Sequence, residues 1–409
     1  MDDVSRFAIG IDIGTENIRA VVGSVNKDGK LTVVGYNEAK NSGMRKGIVA
    51  NLAGPAESVD KMLGEVERMS GVEVNSATIS INGAQILTTR IEGMIAVGMA
   101  DHEITFEDIE RVRDVAIAGR IPQNRDILDI VPLSYALDGQ GGIKDPVGMM
   151  GSRLEMTASV VSVLTPNCEN LKKSIESAKI VPERIIPSVI AAAKSVLNEK
   201  QLENGVAVID IGASTTGVAV YEEGDLQYVG VVPAGSTNIT NDLAIVLEIN
   251  TDIAEEIKRR YVSGAFQDKK DIVVKIGREE WSFEREKIDE VVQARLQEIF
   301  EKVRKELKKS GFDHRLPEGI VLTGGGAKLK NIEVFAKEVL EASVKIGIPD
   351  KISGVADAIW RPEYAAAIGL MLYSAESNMK VIGKIKKKQK IANGSQGKDS
   401  FIKRILKKF

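Results

Sequence analysis

The chain has 409 residues, 43% apolar and 28% charged, a balance that fits two or three folded units with real cores and excludes a disordered chain. One cysteine (Cys168) and two histidines (His102, His314) exclude a disulfide framework, a multi-cysteine zinc or iron–sulfur site and a histidine-rich metal centre. The formal net charge of −3 divides unevenly: residues 380–409 carry eleven Lys or Arg against one acid, so a +10 tail follows a −13 body that matches nucleic acid poorly.

In chain order, residues 8–36 read as strand, Gly turn, strand, Asp28-Gly29 turn, strand, and residues 207–231 repeat that pattern. The block Ile-Asp-Ile-Gly recurs 198 positions later (Asp12, Asp210), and Leu-x-x-Val-Gly recurs after 195 (Leu31, Leu226). A repeat this distant predicts two similar α/β halves, each opening with a hairpin, rather than a solenoid with its period of about 20–50 residues. Between them the pattern predicts a helix at about 55–70 and a strand at Ser76–Ile81. A strand-like stretch Ile86–Val97 follows, then a helix capped at Thr105 with Asp108 three residues on. Two further strands (Ile127–Leu137, Arg153–Val163) flank the Gly-rich turn Asp138–Gly142. Residues 84–163 thus form an inserted strand–helix–strand–strand module. Helical patterns at Asn167–Ala178 and Ser188–Leu197 lead into the second repeat.

Beyond Thr240 the chain turns helical, with a short helix from Asp252 that Gly264 is expected to end. A long helix at 285–309 aligns Ile288, Val291, Val292, Leu296, Ile299, Phe300, Val303 and Leu307 on one face. The strand Gly319–Leu322 enters Thr323-Gly324-Gly325-Gly326, with Leu329–Leu340 helical behind it, and residues 363–376 form a last apolar helix. Ser377–Lys398 reads as a flexible basic linker.

Two facing Asp-x-Gly hairpins suit a phosphate clamp, because glycine lets backbone N–H groups approach anionic oxygens and neighbouring hydroxyls add donors. The donors are Gly14, Thr15 and Asn17 in the first loop, and Gly212, Ala213, Ser214 and Thr215 in the second. Asp12 and Asp210, at the strand ends, are placed to hold a hydrated Mg²⁺. Gly324, Gly325 and Gly326 allow a flat base and an α-phosphate to lie on backbone at a helix start. No Walker A or Rossmann fingerprint is present.

This order of loops resembles the actin-like ATPase superfamily and, within it, the FtsA family of bacterial cell-division proteins over nearly the whole chain. The carrying features are Gly43-Met44-x-Lys46-Gly47, Asp138-Gly-x-x-Gly-Ile-x-x-Pro-Val-Gly148, Val-Ile-Asp210-Ile-Gly, Ile320-Val-Leu-Thr-Gly-Gly and the basic amphipathic C-terminus. The resemblance implies an ATP-binding, filament-forming protein that binds the tail of the tubulin-like FtsZ, tethers it to the membrane at the division site and recruits later division proteins. It implies a first core at 1–83, 164–203 and 358–380, an inserted subdomain at 84–163, a second core at 204–241 and 313–357, and a nucleoside- and tail-binding subdomain at 242–312. It adds Gly235, Thr240, Glu255 and Lys258 to the nucleotide site and assigns Arg285 and Arg295, on the polar face of the 285–309 helix, to the FtsZ tail. The chain departs from the family in two places. Asn17 stands where several members carry Lys, and Ser188 aligns with a Glu or Gln that orients the attacking water in relatives. Serine is a poor base, so ATP is expected to act as an assembly ligand and to turn over slowly, with Asp12, Asp210 and Ser188 as the catalytic group.

Residues 399–409 separate cleanly on a wheel of about 100° per residue. Phe401, Ile402, Ile405, Leu406 and Phe409 fill one arc, and Lys403, Arg404, Lys407 and Lys408 the other. Such a peptide fits an anionic lipid surface better than water. The opening residues lack the pattern of a secretory signal, and no run of about 18 apolar residues offers a spanning helix, so a cytosolic protein held peripherally at the membrane is expected. A metabolic kinase on the same fold is the competing reading and requires a substrate cleft with an Asp base; a chaperone ATPase requires a further domain after residue 380.

Overall fold

Each repeated hairpin supplies the centre of a sheet. The structure is a computed structural model describing residues 6–26, 30–98, 103–262, 271–276, 279–349, 352–354 and 358–378. Strands β1 (Arg6–Ile13), β2 (Asn17–Val25) and β3 (Leu31–Lys40) form an antiparallel meander, followed by the short pair β4 (Met44–Arg45) and β5 (Ile48–Val49). Helix α1 (Ala53–Ser70) ends at Gly71, whose left-handed φ of 71° suits glycine, and buries Val59, Met62, Leu63 and Val66. It returns the chain to β6 (Ser76–Ile81), parallel to β1.

The insertion comprises β7 (Leu87–Ala96), α2 (Phe106–Ile117), β8 (Arg125–Leu137), β9 (Gln140–Ile143) and β10 (Arg153–Leu164), its strands ordered β7-β10-β8-β9. The predicted capping box holds: Asp108 N–H donates to the Thr105 hydroxyl oxygen, and Thr105 N–H to Asp108 Oδ2 at 3.0 Å. The Gly-rich segment is more than a turn. Asp138 and Gly139, with φ of 49° and 88°, make a tight hairpin turn, and the residues after them continue as the unpredicted strand β9.

After α3 (Thr165–Ser177), β11 (Val181–Pro187) pairs with β6, and α4 (Ser188–Val196) and α5 (Glu199–Asn204) complete the first half. Neither β11 nor α5 was legible, because one is framed by prolines and the other is too short for a period. The second half repeats the start: β12 (Val206–Ile211), β13 (Thr216–Glu222) and β14 (Asp225–Val232). Helices α6 (Ser236–Val246) and α7 (Thr251–Tyr261), the hairpin β15 (Ile272–Ile276) and β16 (Glu279–Phe283), and α8 (Arg285–Ser310) build a layer on it. Gly264 lies outside the described residues and is not the cap: α7 ends at Tyr261 with an extended Val262. The α8 stripe packs as its period predicts, with Val291 half-buried and the other seven residues buried.

Strand β17 (Ile320–Thr323) enters a 3-10 turn, Gly325–Lys328, so the glycines do not open an α-helix as expected; α9 (Ile332–Leu340) starts later. Strand β18 (Val344–Ile346) completes the sheet β14-β13-β12-β17-β18, and β19 (Ser353–Gly354) crosses back to give β11-β6-β1-β2-β3-β19. A 3-10 turn at Pro362–Tyr364 precedes α10 (residues 365–378), which buries Ala367, Ile368 and Met371 on the first sheet. Helices α4 and α10 cross tightly: a Cβ at Gly369 would lie 1.7 Å from the Ala191 carbonyl oxygen. Among the described residues no helix is long and apolar enough to cross a membrane. The linker predicted from Ser377 starts later, because Ser377 and Asn378 belong to α10; the rest of it and the amphipathic segment 399–409 lie outside the described residues.

Candidate functional site

The two hairpins match in atomic detail. Gly14 N–H donates to the Asn17 carbonyl at 3.1 Å, and Gly212 N–H to the Thr215 carbonyl at 2.8 Å. Asp12 pairs in register with Arg19, and Asp210 with Gly217, seven residues on in both copies. The loops meet across the halves, where the Ser214 hydroxyl donates to Thr15 Oγ1 at 2.9 Å. Thr15 Oγ1 also accepts from Gly47 N–H at 3.2 Å, which gives the Gly43–Gly47 motif its place.

Between the halves lies a cleft of about 450 Å³, a volume typical of a nucleotide-sized ligand. Asp12, Gly14, Thr15, Asn17, Asp210, Gly212, Ala213 and Thr215 line its floor with Ser188, and Glu255, Lys258, Gly324, Gly325 and Gly326 line the other end. Ser214 is spent on the inter-loop bond and is not on the lining. Gly235 and Thr240 act behind the wall. A Cβ at Gly235 would lie 2.6 Å from the Gly212 carbonyl oxygen, so glycine allows α6 to start against the second loop. The Thr240 hydroxyl donates to Glu255 Oε2 (2.6 Å), and Lys258 Nζ donates to that oxygen (2.6 Å) and to Thr240 Oγ1 (2.9 Å). Burial alone would raise Glu255, but these bonds outweigh it and hold the carboxyl below its usual range. Gly324 needs its φ of 84°, and a Cβ there would strike Asp210 Oδ1 at 2.3 Å; Gly325 faces open space.

The two aspartates are the electrostatic centre. Burial raises Asp12, although Ser80 and Arg19 oppose it. Burial and then the Asp12 charge push Asp210 up to about 7, against the Ser188 hydroxyl bond and Arg19. Ser188, 2% exposed, donates to Asp210 Oδ2 at 3.3 Å, so its hydroxyl is engaged with the carboxylate rather than free to hold a water. Asp12 Oδ1 is buried without a hydrogen-bond partner. A cation relieves both costs. No cluster of three His, Cys, Asp or Glu exists among the described residues, so the pair suits a hard ion that keeps water and phosphate oxygens, as Mg²⁺ does.

Sequence reasoning missed Arg19, which lies beside the aspartates, bonds Glu38 at 3.0 Å and covers the Tyr364 ring at 5.6 Å; its signal is the register opposite Asp12. It also missed Arg361 and Glu363, brought to the cleft by a turn remote in sequence. Arg285 and Arg295 lie on α8 but are not a solvated face. Arg295 is bidentate on Asp242 of α6 (2.5 and 2.9 Å) and also bonds Glu298, while Arg285 pairs with Asp289 at 3.6 Å. Cys168 is buried, and burial pushes its thiol up to about 11, consistent with a packing role.

Paired sheets around such a cleft are the actin-like ATPase fold. The structure resembles the PilM-PilN type IV pilus biogenesis complex (TM-score 0.67, 17% identity, covering 90% of this chain and 98% of that one). It also resembles MreB5 of Spiroplasma citri bound to ADP (TM-score 0.52, 15% identity, 92% and 98% covered). The family described as "Cell division protein FtsA" matches residues 207–369, and the "SHS2 domain inserted in FTSA" matches residues 83–162. The Cell division protein FtsA of Pseudomonas aeruginosa is 35% identical over 378 residues (91% of this chain, 90% of that protein), and that of Escherichia coli strain K12 is 31% identical over 413 residues (98% and 96%). The chain belongs to the FtsA family of bacterial cell-division proteins.

Proposed function

We propose that the chain binds ATP with Mg²⁺ in this cleft, assembles with copies of itself on the cytoplasmic face of the membrane at the division site, and tethers FtsZ there while later division proteins gather. The observation that carries the reading is the pair of register-matched loops meeting at Ser214 and Thr15, because two sets of turn N–H groups then converge on one volume. The Gly14 and Gly212 N–H groups close their turns on the Asn17 and Thr215 carbonyls, so the first loop offers the phosphates the N–H groups of Thr15 and Asn17, and the second those of Ala213 and Thr215. Asp12 and Asp210 hold Mg²⁺ through water, and the ion neutralises phosphate charge. Glu255 and Lys258 hold the ribose, and Gly324–Gly326 give the base a flat wall. Ser188, bonded to Asp210, makes a weak water-orienting group, so turnover is slow and ATP serves chiefly as an assembly ligand.

The apolar part of the FtsZ tail, acidic and apolar by family resemblance, suits the groove of about 280 Å³ between α6 and α8, where Ile245, Val246, Val291 and Ala294 lie beside Arg295, while an acidic group there has to displace Asp242 or Glu298 from that guanidinium. Arg285 extends the same helix toward its N-terminus. Phe401, Ile402, Ile405, Leu406 and Phe409 enter the lipid interface while Lys403, Arg404, Lys407 and Lys408 meet anionic headgroups. Electron microscopy on an anionic lipid monolayer with ATP tests the whole. The full chain is expected to form lipid-bound filaments and a chain lacking residues 399–409 none; equal binding by both overturns the tether.

A further inference from the structure

The base end of the cleft holds a charged group that the phosphate and adenosine loops do not explain. Glu363 lies on the turn Pro362–Tyr364, is 7% exposed and lines the cleft. That turn is fastened to the Gly-rich one: Gly324 N–H and the Thr323 hydroxyl both donate to the Pro362 carbonyl at 3.1 Å. Lys328, at the end of the Gly-rich turn, donates from Nζ to Glu363 Oε1 at 2.7 Å. Oε2 is buried and makes no hydrogen bond. A carboxylate oxygen shielded from water and lacking a donor is unfavourable, so the arrangement is completed by a donor brought from outside. The terminal torsion of Glu is broad and two-fold, and Lys328, on a flexible and half-exposed stem, follows the carboxylate as it turns toward the cleft.

Resting on the reading of this cleft as a nucleotide site, we propose that Glu363, steadied by Lys328, selects the base by accepting one N–H from the 6-amino group of adenine. Adenine presents an amino donor at that position, whereas guanine presents a carbonyl, an acceptor facing a carboxylate. Guanine's own donors, N1–H and the 2-amino group, form a fork that needs both carboxylate oxygens side by side. Lys328 takes one acceptor site on Oε1 and limits the tilt of the carboxylate, which disfavours a coplanar fork. The single uncommitted oxygen therefore favours adenine, and releasing the other weakens the exclusion of guanine.

Calorimetric titration of the full chain with Mg²⁺ and ATP, GTP or purine riboside triphosphate (ATP without its 6-amino group) tests the assignment. The wild type is expected to bind ATP about tenfold or more tighter than the 6-deamino analogue, the worth of one hydrogen bond to a charged group. Glu363→Ala is expected to lower ATP affinity to that of the analogue and leave the analogue unchanged. Lys328→Ala, which leaves the buried Glu363 carboxylate without its ion-pair partner, is expected to weaken ATP binding and to narrow the preference over GTP. Equal wild-type affinities for ATP and the analogue overturn the assignment while nucleotide binding stands, as does equal weakening of both by Glu363→Ala. That wild-type comparison decides even if Glu363→Ala fails to fold. Absence of binding by all three nucleotides overturns the nucleotide reading itself.

Discussion

Asp210 is the residue whose chemistry is most displaced from the ordinary. In the folded chain it keeps its proton to about 7, whereas an unfolded aspartate releases it near 4. Between those values the folded state binds more protons at Asp210 than the unfolded one, so this residue's contribution to metal-free stability is fully present below about 4 and is lost as pH rises through about 7. Thermal unfolding across that range should show the decline, and Asp210→Asn should flatten it; a decline of equal slope in the variant would contradict the assignment. Added Mg²⁺ should recover stability most strongly above pH 7. Ser188→Glu should raise a slow ATP turnover if the missing acid limits hydrolysis, and an unchanged rate in a steady-state phosphate assay would count against that reading. Asp12, Asp210 and the loop glycines were legible in the sequence because the chain repeats them at a fixed spacing. Arg19 and Glu363 were not, because only register and a remote turn bring them to the cleft.

At the scale of elements, two contacts among the described residues support the cleft in addition to the Ser214–Thr15 bond across the halves. One is the crossing of α4 and α10, where Ser195 donates its hydroxyl to the Ala365 carbonyl at 2.8 Å and Gly369 leaves no room for a side chain. Gly369→Val should cost at least the roughly 1–3 kcal/mol of an overpacked core, read as a lowered unfolding midpoint. The other is the inserted module, which departs from the first half in sequence but fastens onto edge strand β14 of the second. Thr88 Oγ1 donates to the Val229 carbonyl (2.9 Å) and accepts from Val229 N–H (2.7 Å), Ser159 donates to the Gln227 carbonyl (2.9 Å), and Lys144 bonds Asp225 (2.7 Å) and Glu223 (3.0 Å). Thr88→Val leaves two backbone groups of β14 unpaired, a loss of about 1–3 kcal/mol, whereas Lys144→Ala removes an exposed pair worth about 0–1 kcal/mol. Hydrogen exchange at Val229 should rise in the first variant and barely change in the second; the reverse order would contradict this ranking. The strands of the insertion and the α8 stripe were legible because apolar spacing carried them. The β15–β16 hairpin was hidden by its charges, and the attachment to β14 has no local signal, since it is made of single hydroxyls meeting backbone.

For the whole molecule, the sequence conveyed the duplication, the insertion and the order of the loops, and the structure adds that one of the hydrophobic clusters spans both halves. Ile9 and Ile11 of the first half, Val161 and Val163 of the insertion, and Val206, Val208 and Val229 of the second pack in one cluster. Halves so joined respond to a ligand together, which is the central claim: a magnesium nucleotide is gripped from both sides at once. Hydrogen exchange on the full chain with and without ATP and Mg²⁺ tests it most directly. Protection should appear together at the two hairpin tips, residues 13–17 and 211–216. Protection confined to one tip, or an unchanged pattern at both, would contradict it.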